Sequence, residues 1–314
     1  MNHGLFIAPV AGLIAALMFA STASGAMLAG FIVFLSPLPI MGATLGWGSA
    51  VGLAAALLGA CSLGAVLGPL AFIAFLTAIG LPAWWLARLA ITSQPVNTQP
   101  QTVSWYPVGH LVAWIAAIVV AGSALSMLLN AGDVFTTDDA SRQELATMLQ
   151  ASGRIPDGVD SLRFVDAVLR ILPSVASFFA VIALAFDLWA AGHLIRLSGR
   201  LPRPWPNVSM MTLPAPLLAV LGAAFALMFA GEPVAGYARI VVAPLVAAFL
   251  MLGLATFHNM TKPLAGRPFW LGALYVALLF GWPMLPVVVL GIAEQLLGFR
   301  AQVAKRLPPA PPSE

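Results

Sequence analysis

Charge is what this chain lacks most. Only 8% of its 314 residues are Asp, Glu, Lys or Arg, and none of these occurs before Arg88. A soluble surface could not be wetted over such a stretch, whereas a bilayer removes the need for charge. Cysteine is almost missing too. Cys61 stands alone, which excludes an internal disulfide, and no Cys/His cluster marks a metal site. The HExxH, GxSxG and P-loop signatures are absent, so no zinc hydrolase, serine-hydrolase elbow or nucleotide-hydrolysing loop is indicated. The expectation is a protein without catalytic residues or cofactor, and any ATP-driven role would need a separate ATPase subunit. The net charge is only +3, and the basic residues are scattered between apolar segments. Membrane orientation accounts for them better than a nucleic-acid-binding patch does.

What is present is apolar: 61% of the chain is hydrophobic. A membrane span needs about 20 such residues. The stretch before Arg88 and its flank hold four, at about 5–23, 26–44, 46–66 and 68–91, with breaks at Gly25, Gly46 and Gly68-Pro69. The first lacks a basic leader and is expected to be a retained span. Six more follow at 107–130, 174–195, 213–231, 236–258, 268–282 and 284–302. The last two form one apolar block broken at Gly281-Trp282-Pro283, which fits either two short helices or one long tilted helix. The expected fold is an all-α, polytopic transmembrane helical bundle of about 10 spans.

Charge sets the orientation. Segment 131–166 carries seven acids (Asp133, Asp138, Asp139, Glu144, Asp157, Asp160, Asp166) against three arginines and is placed outside. The connection after Arg196, with Arg200 and Arg203, the turn with Lys262 and Arg267, and the tail with Arg300, Lys305 and Arg306 are placed in the cytoplasm. The bacterial inner membrane with both ends inside follows, with the lipid bilayer as the obligatory environment. The outer segment has capping-box spacing at Ser141 and Glu144, and two amphipathic helices are expected within 131–172, with a kink at Pro173. The loop 88–106 is polar and proline-containing, flanked by Trp84, Trp85, Trp105 and Tyr106 as interfacial rings. It is expected to be flexible, and the Pro-rich tail 303–314 disordered.

Ionisable groups inside a bilayer cost about 2.5–3.5 kcal/mol each on insertion scales, so each is a candidate for function. Asp187 and Glu294 qualify, both in the inner halves of their spans, and Arg88, His193 and His258 are their possible partners. They point to ligand or proton binding; a structural ion pair is the plain alternative. Asp187, Glu294, His258 and Arg88 are the ligand-binding candidates. In the first span Ala8, Gly12, Ala16 and Ala20 form an i, i+4 ladder of small residues. It reads as a docking face for a partner, or as internal helix packing. Prolines at Ser36-Pro37-Leu38-Pro39 and Trp282-Pro283-Met284-Leu285-Pro286 break their spans, where freed backbone groups can line a cavity.

The stretches GLPAWWLARLA, WYPVGHLV, LIRLSGRLPRPWP, GLATFH and LGIAEQLLGFR occur in this order along the chain. They resemble the YybS-like family of predicted bacterial membrane proteins, a domain of unknown function. The N-terminal part of that family is similar to the substrate-binding S-components of energy-coupling-factor importers. The resemblance implies a six-span module over 1–196, a cytoplasmic connection 197–212 and a four-span extension 213–302. It also implies that the ladder Ala8/Gly12/Ala16/Ala20 faces a transmembrane coupling subunit. Two functions follow as expectations: binding or transport of a small solute, or recruitment of partners as a membrane scaffold.

Overall fold

In hydrocarbon every backbone N–H and C=O must be satisfied within its own segment, which makes a charge-poor, apolar chain helical. The computed structural model describes residues 4–24, 27–96, 99–129, 139–156, 158–300 and 302. Gly25, Asp133, Asp138, Asp157, Lys305, Arg306 and the tail from 303 onward lie outside the described residues. The helices are α1 (Gly4–Ala20), α2 (Met27–Phe34), α3 (Pro37–Trp47), α4 (Ser49–Leu67), α5 (Pro69–Phe75), α6 (Leu81–Ala90) and α7 (Val108–Leu129). Then come α8 (Asp139–Ala151), α9 (Ser161–Leu197), α10 (Pro216–Leu227), α11 (Val234–Met260), α12 (Arg267–Leu278) and α13 (Met284–Leu297).

Among the described residues six segments are long and apolar enough to cross a membrane: Ala29–Trp47, Ser49–Leu67, Pro69–Ala90, Val108–Leu128, Ser161–Leu197 and Val234–Met260. Each of the ten apolar stretches carries helix, but not all carry a full span. Helices α10, α12 and α13 have 12, 12 and 14 residues. At about 1.5 Å per residue they reach roughly 18–21 Å, short of a hydrocarbon core of about 30 Å. The stretch 268–302 is two helices, turned at Gly281 with φ +80°. A left-handed residue there needs glycine and ends the first helix.

Three local features differ from expectation. First, α9 runs unbroken for 37 residues through Pro173. Its N-terminal part packs against α8, where Ala146 and Val165 are buried. The two halves, expected as a surface helix and a span, are therefore one rod. Second, the loop after α6 contains an antiparallel hairpin, β1 (Ser93–Val96) and β2 (Gln99–Trp105), with Ser93 opposite Trp105. A two-stranded ribbon has two open edges, so Pro95 and Pro100 are tolerated without their N–H groups. Third, Ser141 lies inside α8 rather than at its start, because the helix already includes Asp139.

Buried residues form two groups. One unites α1, α3, α4, α5, α6, α7 and α9 around Ile40, Met41, Ala55, Phe75, Leu86 and Val181. The other unites α10, α11 and α13 with the far face of α7, around Ala248, Phe249, Leu252 and Val287. Helices α11 and α13 cross closely: a Cβ on Gly253 or Gly291 would overlap the carbonyl oxygen of Val287 or Phe249. Lipid-bathed helices associate through such small-residue contacts because no hydrophobic force separates them from lipid.

Candidate functional site

Between the two groups lies a cavity of about 590 Å³, within the size range of small-molecule sites. Its walls come from α7 (Leu111, Ile115), the C-terminal half of α9 (Leu188, Trp189, Gly192) and α11 (Met251, Ala255). The 198–213 connection contributes Trp205 and Met211 to the wall. Nearly all of this surface is carbon. The exceptions are Arg203, Ser209, His258 and Tyr275, gathered toward the end where the basic connection runs.

Each cation of that connection has a different environment. Arg196 lies over the Trp205 ring at 5.1 Å, and Arg200 over Trp47 at 5.0 Å. Arg203 donates to the Ala90 carbonyl at 3.2 Å and, among the described residues, has no carboxylate within ion-pair distance. Partial burial pulls its guanidinium below the usual arginine range, yet an arginine stays protonated. Arg203 is therefore a charge-bearing donor held against an apolar cavity.

His258 sits in the last turn of α11. Its Nδ1 lies 3.0 Å from the Leu254 carbonyl. A carbonyl only accepts, so Nδ1 carries the hydrogen, and in the neutral ring Nε2 is the acceptor. The Tyr275 hydroxyl stands 3.5 Å from that Nε2 and donates to it. The two rings meet edge to face, with centroids 5.8 Å apart.

Of the sequence-derived candidates, His258 lines the cavity and the others do not. Arg88 is exposed and stacks over Trp84 and Trp85, 5.4 and 5.6 Å from their ring centroids. Asp187 is fully buried, and neither carboxylate oxygen has a hydrogen-bond partner among the described residues. At 100° per residue it points roughly 150° away from the cavity-facing residues of α9. Glu294 is 7% exposed and accepts from Arg300 Nε at 2.8 Å and from the Arg300 backbone N–H at 3.2 Å. The two intramembrane carboxylates thus occupy different settings, one unpartnered among the described residues and one ion-paired. His193 stacks on Trp189 and meets the edge of Trp205, outside the wall itself.

Glu294 nevertheless touches the cavity at one remove. Arg300 donates from its two terminal nitrogens to the carbonyls of Ser209 and Met211, at 2.8 and 2.9 Å. Both residues line the cavity. Gln295 adds a bond to the Leu213 carbonyl at 3.1 Å. The wall 209–213 has no secondary structure beyond one 3-10 turn (Val208–Met210), so these side chains supply the partners its carbonyls need.

The small-residue ladder of α1 is not a free face. Ala8 and Ala16 are 6% and 3% exposed, and a Cβ on Gly12 would overlap the Ala55 carbonyl of α4. Gly59 of α4 meets the Gly12 carbonyl in the same way. The ladder is internal packing. Sequence reasoning missed Arg203 and Tyr275 as site residues; the first served only to orient the membrane, and the second carried no signal.

Among the described residues no group of His, Cys, Asp or Glu has the arrangement of a metal site. Comparison with curated proteins and with solved structures returns no match. The sequence model of one family, described as "Predicted membrane protein (DUF2232)", matches residues 13–293. An apolar helical fold with several membrane-length helices and a match over most of its length place this chain in that family of predicted membrane proteins.

Proposed function

We propose that this membrane protein binds a small, largely apolar solute in the cavity between its two helix groups, as a binding component or the binding step of a transporter. The cavity is the observation that carries the reading: about 590 Å³ of carbon-lined space with its few polar groups gathered at one end. Small-molecule sites have this composition, with apolar walls for affinity and a few polar groups for orientation. The proposal places the chain in the bacterial inner membrane, with about ten membrane-embedded helical segments and both ends in the cytoplasm. The basic connection 196–212 supports that orientation, and it puts the polar end of the cavity near the inner leaflet. No bond-making step and no ATPase are assigned to the chain.

A scaffold role predicts a closed interior and a free small-residue face. The cavity and the burial of Gly12 against α4 favour solute binding over it. Packing of that ladder on α4 also leaves a coupling subunit without the face that the S-component resemblance assigns to it.

Extraction in mild detergent followed by mass spectrometry of co-purifying small molecules tests the reading. A Cβ on Gly192 would make ordinary contact with Trp205 at 3.6 Å, so Gly192→Leu fills the cavity from its wall. Ala185→Phe fills it from the neighbouring turn of α9. Wild type should retain a small molecule, and both variants should lose it while keeping wild-type elution and thermal unfolding. Equal retention by wild type and both variants would remove the cavity from the function.

A further inference from the structure

Several arginines at this end of the bundle are already engaged. Arg196 and Arg200 lie on tryptophan rings, and Arg300 is ion-paired with Glu294. Among the described arginines Arg203 lines the cavity, with one backbone carbonyl as its hydrogen-bond partner among the described residues. A guanidinium carries five N–H donors, and one bond to a neutral carbonyl uses only one of them. In a half-buried, carbon-lined setting the remaining donors and the charge are best satisfied by an anion. The Tyr275 hydroxyl already donates to His258 Nε2, so among the polar residues of the wall Arg203 is the one that carries charge and spare donors. The rest of the wall offers aliphatic and aromatic carbon, including Leu111, Ile115, Leu188 and Met251.

We infer that the ligand is an amphipathic anion: a carboxylate or phosphate monoester head held by Arg203, with a single aliphatic or prenyl-like body in the carbon-lined cavity. This inference rests on the solute-binding reading above and adds the ligand's charge and shape. The same chemistry is offered by a free amphiphile and by an anionic phospholipid of the inner leaflet. Arg203 lies in a connection that carries Arg196 and Arg200 but no acid, so the local field also draws anions.

Four probes of one chain length test it: dodecyl phosphate, dodecanoate, dodecanol and dodecylammonium. Each is added to the full-length protein in nanodiscs of zwitterionic lipid, and retained adducts are counted by native mass spectrometry. Dodecyl phosphate and dodecanoate should be retained at least about tenfold better than dodecanol, the scale of one charge-assisted contact, and dodecylammonium least. Arg203→Gln should abolish that preference while leaving dodecanol retention unchanged, and Arg203→Lys should restore part of it. A repeat in nanodiscs containing phosphatidylglycerol separates the sources. If that lipid displaces the dodecyl probes in wild type but not in Arg203→Gln, the bilayer supplies the anion.

Equal retention of the phosphate and the alcohol, with Gly192→Leu abolishing both, overturns the anionic head and leaves the cavity reading standing. Retention that neither Gly192→Leu nor Ala185→Phe reduces overturns both.

Discussion

Arg300 turns back onto Glu294, six residues earlier in the chain, and puts its Nε 2.8 Å from a carboxylate oxygen while its other nitrogens hold the Ser209 and Met211 carbonyls. Both partners are 7% exposed. Breaking such a pair by removing one member costs about 3–5 kcal/mol, because the remaining charge is stranded. Glu294→Gln should therefore lower the thermal unfolding temperature of the purified protein, and Arg300→Met should do the same. The double variant should recover part of the loss, since both charges leave together. Any effect on ligand retention should track the mobility of the 209–211 wall, read by cross-linking or hydrogen exchange there. Unchanged unfolding in both single variants would mean that the pair does not hold that wall.

Asp187 presents the opposite situation. Its side chain is fully buried with neither oxygen bonded among the described residues. A buried polar group without a partner costs about 1–3 kcal/mol by mutational measure. Asp187→Leu, close in volume, should raise stability by that order, and Asp187→Asn should not lower it. Urea or thermal unfolding in detergent reads both. A clear loss of stability would show that the carboxyl is satisfied in the folded protein.

These two acids mark the boundary of what the sequence makes legible. Apolar runs and Gly/Pro breaks reveal the helices because backbone satisfaction in hydrocarbon is a local demand, met residue by residue. Every apolar stretch named from the sequence carries helix. Partner choice is not local. Extended along a helix, Arg300 would stand roughly 9 Å beyond Glu294. Gly298, left-handed at φ +60°, ends α13 and turns the chain so that Arg300 returns. Nothing near Asp187 in sequence announces that it lacks such a return. The hairpin at 93–105 escaped for a related reason: short, proline-bearing polar segments become strands only when they meet. The cavity is the extreme case, since Leu45 and Tyr275 contribute to one wall system from opposite ends of the chain.

Outside the membrane-length helices, Glu232 accepts from Arg239 and from the Gly236 backbone N–H. Its carboxyl is held below the ordinary glutamate range chiefly by the hydrogen bond from Arg239, opposed by desolvation and assisted by that cation's charge and the Gly236 N–H. A carboxyl depressed on folding adds stability that is fully present above its unfolded value, about 4.3, and is lost as pH falls through the folded value. Wild type should thus lose a small increment of stability on acidification below about pH 4.5 that Glu232→Gln does not lose. Thermal unfolding from neutral pH down to pH 3 compares them. Parallel curves would show the pair to be energetically silent, as exposed pairs often are.

The α1 ladder provides the last test, and it separates packing from docking. Gly12 and Gly59 lie so close that a Cβ on either would overlap backbone of the other helix. Adding a side chain at such a contact forces the helices apart, and overpacking typically costs about 1–3 kcal/mol. Gly12→Leu should lower the unfolding temperature of the isolated protein with no partner present. Leu13, on the exposed side of the same helix at 48% exposure, provides the control, and Leu13→Ala should change little. A docking face would behave the other way: the isolated protein would tolerate Gly12→Leu, and only a co-purifying subunit would be lost. Because Ala8 and Ala16 flank Gly12 on the buried face, the Leu side chain has no open direction in which to turn, and the loss should appear in the single chain.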